Sequence, residues 1–219
     1  MRVFAIIPVK KFENSKTRLS SMLSVEQRVK LSGLLLKDTL VALAKSKEIE
    51  QVIVVSSDRR ARYISGLYGA VFIQEESDSG VNSAVTLADR RSKNSGAEAT
   101  VVIPQDLPML EASEIDSMCK EAESYAKCIV ICPSERRDGT NVLLRKPPSA
   151  IEIHYDNNSY SMHLQSAKES GAEARIYESE RLMFDIDKPE DVDALAKIDE
   201  KKITSKSVAA FLKSLDRAS

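Results

Sequence analysis

The chain has 219 residues, of which 42% are hydrophobic and 30% charged, a composition that suits one large α/β domain or two small ones. The 32 lysines and arginines nearly balance 33 aspartates and glutamates, so the net charge of −1 argues against a nucleic-acid-binding protein. No apolar run is long enough to span a membrane, and the N-terminus does not resemble a signal peptide. We therefore expect a cytoplasmic protein that binds neither nucleic acid nor membrane.

Cysteine and histidine usage gives no sign of a disulfide framework or a zinc site. Cys119, Cys128 and Cys132 have no CxxC spacing, and their odd number fits no closed set of disulfides. His154 and His163 are the two histidines of the chain, too few for an ordinary Cys/His zinc site.

Segments rich in valine and isoleucine alternate with amphipathic segments along the chain. Several of the former are continuous apolar runs, which is typical of strands covered on both faces. Ser24 and Gln27 form a capping-box pattern at the start of the first helix. The alternation predicts an α/β fold with an open, mostly parallel sheet between helices on both faces. The predicted strands are 2–9, 49–57, 69–74, 99–105, 127–134, 140–146 and 174–179, and the predicted helices are 24–45, 58–68, 80–93, 111–126, 159–171, 188–198 and 205–216.

The spacing of elements changes after residue 127, where strands and proline-containing loops lie close together. We interpret the chain as a single domain, 1–219, with two functional halves. The nucleotide-binding half covers about 1–126, the acceptor- and metal-binding half about 127–198, and the C-terminal helix 199–219. The apolar face of that helix predicts packing on its own domain, with a homodimer contact as the alternative.

The segment "PVKKFENSKTRLS" places cations directly after the first strand, which ends at Pro8. It contains neither a GxGxxG nor a P-loop pattern. In an open α/β sheet the ligand binds beyond the carboxyl ends of the strands, so Lys10, Lys16 and Arg18 are candidates to neutralise a polyphosphate. The alternative is an ordinary solvated basic loop.

The segment "VVIPQDLPML" presents Asp106 at the end of another predicted strand, between Pro104 and Pro108. Both prolines restrict the backbone, so the carboxylate is held rigidly at the ligand edge. A carboxylate in that position suits Mg²⁺, which prefers carboxylate and phosphate oxygens. The alternative role is an Asx-turn that caps the following helix.

The segment "RLMFDIDKPEDV" carries a second pair of carboxylates near the C-terminus. In an extended segment Asp185 and Asp187 point the same way while Ile186 packs inward. Two carboxylates on one side repel each other unless a metal ion or a base lies between them. Helix capping by Asp187 is the alternative, and it leaves Asp185 unexplained.

Polar residues in three further segments are weaker candidates. In "RRDGTNVLL" Thr140 belongs to a hairpin turn or to a binding site, and in "YDNNSYSMH" Ser159 is a helix N-cap or a phosphate contact. Asn82 in "GVNSAV" lies near a base or ribose, or caps a helix. His163 is expected to be a packed structural residue.

Together these segments resemble the 2-phospho-L-lactate guanylyltransferase family, which makes the activated precursor of the deazaflavin coenzyme F-420. The resemblance covers about residues 1–195 and rests on the order of the motifs. It implies a three-layer α/β/α fold like that of nucleotide-diphospho-sugar transferases. It also implies transfer of GMP from GTP to a phosphorylated C3 acid. The segments that carry it are "PVKKFENSKTRLS", "GVNSAV", "PQDLP", "DGTNVLL", "NNSYSMH" and "FDIDKPEDV".

The resemblance also implies residue roles. Mg²⁺ would be bound by Asp106, Asp185 and Asp187. GTP would be contacted by Pro8, Lys10, Lys16, Arg18, Asn82 and Asp106, of which Lys16, Arg18 and Asp106 would be catalytic. The acceptor would be held by Thr140, Asp156 and Ser159. One departure is that Asp156, Asn157 and Asn158 replace the small residues usual before the serine, which leaves phospholactate, phosphoenolpyruvate and 3-phosphoglycerate open as acceptors.

Two other hypotheses about the function compete with this one. A molybdopterin guanylyltransferase or a cytidylyltransferase would share the fold, although the first would need a Gly-rich turn after strand 1 that this chain lacks. A non-catalytic nucleotide-binding homologue would have lost a metal carboxylate, whereas all three candidates are present.

Overall fold

The computed structural model describes residues 1–216 of the chain. The seven strands and seven of the eight α-helices occur in the predicted order, and the short helix α6 is additional. The strands are β1 (Val3–Pro8), β2 (Ile49–Ser56), β3 (Val71–Gln74), β4 (Ala99–Val102), β5 (Cys128–Pro133), β6 (Thr140–Lys146) and β7 (Glu173–Ile176). The helices are α1 (Val25–Leu43), α2 (Arg59–Leu67), α3 (Val81–Asn94), α4 (Ala112–Glu123), α5 (Ser159–Ser170), α6 (Glu180–Met183), α7 (Pro189–Lys197) and α8 (Lys206–Asp216).

All seven strands join one sheet, in the order β3-β2-β1-β4-β6-β5-β7. The pairs β3–β2, β2–β1, β1–β4 and β5–β7 are parallel, whereas β6 runs antiparallel to both β4 and β5. The predicted α/β fold with a mostly parallel sheet is therefore confirmed. The reversal of β6 brings the start of that strand, rather than its end, to the edge where the parallel strands finish.

Helices cover both faces of the sheet, and β1 shows why. Val3, Ala5 and Ile7 face a core shared with α1, α2 and α4. Phe4 and Ile6 face a second core shared with α3. Because both sets are fully buried, the strand is apolar at every position, in agreement with its continuous hydrophobic run.

A separate apolar cluster lies at the end of the chain. Val208, Phe211 and Leu212 of α8 pack with Leu31 and Leu35 of α1. The apolar face of α8 is thus covered by its own chain. Within residues 1–216, every helix is too short or too polar to cross a bilayer.

Candidate active site

A cleft of about 460 Å³ lies beyond the carboxyl ends of β1 and β4. Its walls come from the loop after β1, the loop after β4, the start of β6 and the segment before α7. Most of the predicted site residues meet here. The cleft is lined by Pro8, Lys10, Asn14, Ser15, Lys16, Thr17, Arg18, Val81, Val102, Pro104, Gln105, Asp106, Thr140, Tyr155 and Asp187.

Lys16 and Asp106 form the central ion pair of the cleft. Lys16 Nζ lies 2.5 Å from Asp106 Oδ2, and the lysine side chain is only 5% exposed. The Lys16 backbone has φ 54° and ψ 35°, a left-handed conformation that is unfavourable for a residue with a Cβ. That conformation turns the loop so that the ammonium points into the cleft. Asp106 is thus engaged by a cation and not by an Asx-turn.

The loop carrying Lys16 is anchored at several points. The backbone N–H of Lys11 donates to both carboxylate oxygens of Asp78, each at 3.1 Å. The N–H of Phe12 donates to Asp58 Oδ2 at 2.8 Å, and the Phe12 ring is buried. Arg28 of α1 donates through Nη1 to the carbonyl oxygen of Ser15 at 2.9 Å. These contacts hold the basic loop in one shape.

The segment Asp185–Asp187 is fixed to the loop after β4. The N–H of Ile186 donates to the carbonyl oxygen of Asp106 at 3.1 Å, and the Ile186 side chain is fully buried. The N–H groups of Asp187 and Lys188 donate to Asp191 Oδ2, so Asp191 caps α7. Ile186 packs inward as predicted, while capping by Asp187 does not occur.

The Asp187 carboxylate is paired with cations instead. Arg18 Nη1 lies 2.5 Å from its Oδ2, and Lys16 Nζ lies 3.9 Å from its Oδ1. Lys10, also in the wall of the cleft, makes no ion pair with any other described residue. Of the three cations of the loop that line the cleft, Lys10 is therefore unpaired, and Lys16 and Arg18 are held by carboxylates.

Asp185 has an unusual electrostatic position. Burial, followed by the negative charge of Asp106, raises the pKa of Asp185 to about 6, although Lys16 and a hydrogen bond from Asn141 act in the opposite direction. Asn141 Nδ2 lies 3.4 Å from Asp185 Oδ1 and donates more closely to the carbonyl oxygens of Leu182 and Met183. Two carboxylates that disfavour each other's charge stabilise a cation placed between them.

Of the three predicted metal ligands, Asp106 and Asp187 line the cleft, whereas Asp185 is more deeply buried and does not. Across residues 1–216, no three His, Cys, Asp or Glu side chains are arranged to hold a metal ion. Lys16 lies between Asp106 and Asp187 and contacts both.

Thr140, in the wall of the cleft, is hydrogen-bonded to Ser159. The hairpin between β5 and β6 ends at Thr140, and its N–H donates to Ser159 Oγ at 2.8 Å. Thr140 Oγ1 lies 3.0 Å from His163 Nδ1, and His163 is fully buried. Asn158, with φ 48°, is the N-cap residue of α5, so Ser159 is the first residue of that helix. Thr140 therefore ends the predicted hairpin turn, and it also lies in the wall of the cleft.

Asn82 and Asp156 do not line the cleft but are hydrogen-bonded to each other. Asn82 Nδ2 donates to Asp156 Oδ2 at 3.0 Å, and the N–H of Tyr155 donates to Asn82 Oδ1 at 2.9 Å. The Asp156 carboxylate therefore turns towards α3. Asn82 ties the start of that helix to the loop before α5, and its neighbour Val81 lines the cleft.

Gln105 and Tyr155 are among the residues of the cleft wall that sequence reasoning missed. Gln105 is buried, and its Oε1 has no hydrogen-bond partner among the described residues. Tyr155 places its ring against His163, with ring centroids 4.9 Å apart and an edge-on angle of 68°. Gln105 is adjacent to Asp106 in the sequence, which was the available signal. No sequence signal pointed to Tyr155, because the loop that contains it has no periodic hydrophobic pattern.

Comparison with known proteins identifies relatives over nearly the whole chain. The model of a family described as "Guanylyl transferase CofC like" matches residues 2–216. The phosphoenolpyruvate guanylyltransferase of Rubrobacter xylanophilus is 34% identical over 192 residues, covering 88% of this chain and 92% of the relative. The 2-phospho-L-lactate guanylyltransferase of Methanocaldococcus jannaschii is 32% identical over 192 residues, covering 88% and 81%.

Solved structures share the fold at much lower sequence identity. A protein of Desulfovibrio desulfuricans G20, described as a nucleotide-diphospho-sugar transferase, superposes with a TM-score of 0.78 at 13% identity, covering 100% of this chain and 98% of the other. A CMP:2-keto-3-deoxy-manno-octonic acid synthetase in complex with CTP superposes with a TM-score of 0.61 at 10% identity, covering 89% and 97%. The predicted transferase-like fold is confirmed by these likenesses.

Proposed function

Because the chain belongs to the guanylyl transferase CofC-like family, we propose that it transfers GMP from GTP to a phosphorylated C3 acid in coenzyme F-420 biosynthesis. The observation that carries the proposal is one cleft in which Lys10, Lys16 and Arg18 face Asp106 and Asp187. Relatives are named for phosphoenolpyruvate and for 2-phospho-L-lactate. Both acids, and 3-phosphoglycerate, are therefore the acceptors to test.

The reaction needs positioning and charge more than a protein nucleophile. An oxygen of the acceptor phosphate attacks the α-phosphorus of GTP, the new P–O bond forms, and the bond to the β-phosphate breaks to release pyrophosphate. A phosphate oxygen is already ionised near neutral pH, so no strong base is required. The thiols do not compete for this role, since burial raises the pKa of Cys119 and Cys132 to about 12.

The basic loop is suited to bind the triphosphate. Lys10 is free to contact a phosphate, whereas Lys16 and Arg18 are bound by Asp106 and Asp187. A triphosphate entering the cleft competes with these carboxylates for the two cations. The exchange transfers Lys16 and Arg18 to the phosphates, where they stabilise negative charge on the leaving group. It also frees the carboxylates for a divalent cation.

The acidic residues fit Mg²⁺. Asp185 and Asp106 are close enough for the charge of one to raise the pKa of the other, a situation that a bound cation relieves. Asp106, Asp185 and Asp187 would hold the ion, which supplies charge neutralisation at the transferred phosphate when bound. The hydrogen bond from Ile186 to Asp106 keeps the two carboxylate segments together.

Pyrophosphate release tests the proposal directly. Each of the four ribonucleoside triphosphates is combined with each acceptor acid, with and without Mg²⁺. We expect release with GTP and at least one of the three acids, and only when Mg²⁺ is present. Release with CTP in preference to GTP would overturn the nucleotide assignment. GTP binding without release for any acceptor would favour a nucleotide-binding protein over an enzyme.

The role of Asp106 is tested with a matched pair of variants. Asp106→Asn keeps the size of the side chain but removes its charge, so we expect kcat to fall by roughly 100-fold or more. Asp193→Asn makes the same chemical change at an exposed position of α7 and leaves kcat unaltered. A rate for Asp106→Asn near that of the wild type would remove Asp106 from the mechanism.

A further inference from the structure

We propose that His163 is a positioning residue that fixes the hydroxyl proton of Thr140, so that Thr140 donates a hydrogen bond to the anionic acceptor. This inference rests on the proposed function, because it concerns the acceptor end of the same cleft. It gives a role to a residue that the sequence predicts to be structural. The acceptor group concerned is a carboxylate or phosphate oxygen.

The first step is the tautomer of His163. The backbone N–H of His154 donates to His163 Nε2 at 3.0 Å, so Nε2 carries no proton. A neutral imidazole then carries its proton on Nδ1. The ring stays neutral because burial, the positive charge of Arg145 and that of His154 lower the pKa of His163 to about 3. Nδ1 is consequently a hydrogen-bond donor at every pH at which the protein would work.

The second step is the direction of the bond to Thr140. His163 Nδ1 and Thr140 Oγ1 are 3.0 Å apart, and with Nδ1 protonated the hydroxyl oxygen must accept. The hydroxyl therefore keeps its own proton for another partner. Within the described residues no other hydrogen bond to this hydroxyl is present, and Thr140 lines the cleft. A hydroxyl proton left free in a wall that also carries Lys10, Lys16 and Arg18 suits an anion.

The third step is that the rest of the structure holds His163 still. Its ring is fully buried and has the Tyr155 ring edge-on against it. The N–H of Thr140 is bound to Ser159 Oγ at 2.8 Å, four residues before His163 on α5. Thr140 and His163 are thus tied through both the backbone and the side chain. A hydroxyl that could rotate freely would lose part of its binding energy as rotamer entropy.

The tautomer is measured on the wild-type protein without substrates. Long-range ¹H–¹⁵N spectra distinguish protonated from bare ring nitrogens, and His154→Gln assigns the two histidines. We expect His163 with Nδ1 protonated and Nε2 bare, without titration between pH 5.5 and 8. A proton on Nε2, or titration in that range, would overturn the inference whatever the enzyme's acceptor is.

Kinetics then test the function of the bond, using the acceptor that the wild type consumes. Failure of the wild type with every acceptor contradicts the proposed function, whereas the comparison of variants judges only this inference. Thr140→Val removes the hydroxyl and keeps the shape, and we expect KM for the acceptor to rise roughly 10- to 100-fold with KM for GTP unchanged. His163→Ala should show the same selective change.

The double variant separates positioning from simple packing. If His163 acts through the Thr140 hydroxyl, adding His163→Ala to Thr140→Val raises the acceptor KM no further. His163→Asn, whose amide N–H can replace Nδ1–H, should recover most of the affinity lost in His163→Ala. Fully additive effects of the two substitutions, or equal increases in the KM values for GTP and acceptor, would refute the role. Thermal unfolding of each variant identifies those that are not folded.

Discussion

At the scale of single residues, Lys16 combines a favourable ion pair with an unfavourable backbone. Its ammonium is nearly buried beside Asp106, while its φ of 54° is disfavoured for any residue except glycine. Strained backbone of this kind persists where surrounding contacts enforce it, which happens often at functional sites. Here the enforcing contacts are those of Asp78 and Arg28 with the same loop.

Two substitutions separate the backbone effect from the ion pair. Lys16→Ala and Lys16→Gly both remove the ammonium, so both should lose most activity. Glycine also relieves the left-handed strain, and we expect the Gly variant to be about 1 kcal/mol more stable than the Ala variant. Urea denaturation of both proteins measures the difference. If the glycine variant were the less stable of the two, the backbone at position 16 would not be strained.

The raised pKa of Asp185 predicts how stability depends on pH. In the folded protein the pKa is about 6, above the usual 3.8, so the folded state binds the proton more tightly than the unfolded state between these values. The free energy of unfolding therefore falls as pH rises from about 4 through 6. The full effect is about 3 kcal/mol, from the difference between the two pKa values.

Asp185→Asn, measured without added metal, tests the predicted direction of the pH dependence of stability. At pH 8 the substitution removes an unfavourable charge, and we expect the variant to be more stable than the wild type by about 2–3 kcal/mol. At pH 4 the aspartate is protonated in the folded protein, so the two should be nearly equal. Denaturant midpoints at the two pH values measure this. A variant that is less stable at pH 8 would show that the carboxylate is not disfavoured there.

Sequence reasoning succeeds at this scale where the chain itself delivers a residue to the ligand edge. Lys16 and Asp106 lie in the loops that follow β1 and β4, and adjacent parallel strands end at the same edge. The link between His163 and Thr140 could not be found in this way. It depends on how α5 packs against the start of β6, and no local pattern encodes that contact.

At the scale of secondary-structure elements, the sequence pattern predicts which segments form strands better than it predicts the direction in which a strand runs in the sheet. All seven strands occur near their predicted positions. The central strands β1 and β5 are almost completely buried apolar runs, whereas β7 at the edge of the sheet is exposed at all four residues. The reversal of β6 has no counterpart in its sequence, since "TNVLLRK" is equally apolar in either direction. The four-residue helix α6 was also missed, being too short for a helical period to be visible.

A buried ion pair connects β6 to the helix α3. Arg145 is fully buried and donates through both terminal nitrogens to Asp89, at 2.7 and 2.8 Å. Thr100 accepts a further hydrogen bond from Arg145, and Ser149 donates one to Asp89. Thr100 and Ser149 are thus each hydrogen-bonded to one member of the ion pair. Such networks are costly to break from one side, because the remaining charge is left without a partner.

We expect Arg145→Met to lower the free energy of unfolding by about 3–5 kcal/mol. The loss comes from the unpaired Asp89 rather than from lost volume. Arg145→Met combined with Asp89→Leu should therefore be more stable than Arg145→Met alone. Chemical denaturation of the single and double variants checks the order. A double variant less stable than the single one would mean that the pair contributes mainly through its packing.

At the scale of the whole molecule, one apolar cluster joins the C-terminal helix to segments that carry residues of the site. It contains Leu19 from the loop after β1, Ile186 from the acidic segment, and Phe211 from α8. The C-terminal helix consequently supports both the basic and the acidic side of the cleft. The apolar face of α8 packs within the chain, as predicted for this helix.

Phe211→Ala tests this support. The ring is 7% exposed, so we expect a loss of about 3–5 kcal/mol in unfolding free energy. GTP affinity should fall as well, because Leu19 and Ile186 lose a packing partner. Tyr63→Ala, at a site 69% exposed, is the control and should change stability by less than about 0.5 kcal/mol. Unchanged GTP affinity in a destabilised Phe211→Ala would separate the cluster from the site.

The antiparallel course of β6 has a consequence for how such a protein can diversify. Since the chain reaches the ligand edge at the start of this strand, Thr140, Ser159 and His163 fall within one uninterrupted stretch of about 25 residues. The cations and carboxylates come from three separate segments elsewhere. The proposed acceptor-binding residues thus lie in one continuous stretch of the chain, whereas the cations and carboxylates come from loops at separate positions in the sequence. On the proposed function, a change of acceptor would need substitutions in this one stretch alone, and the residues proposed to bind the nucleotide would be unchanged.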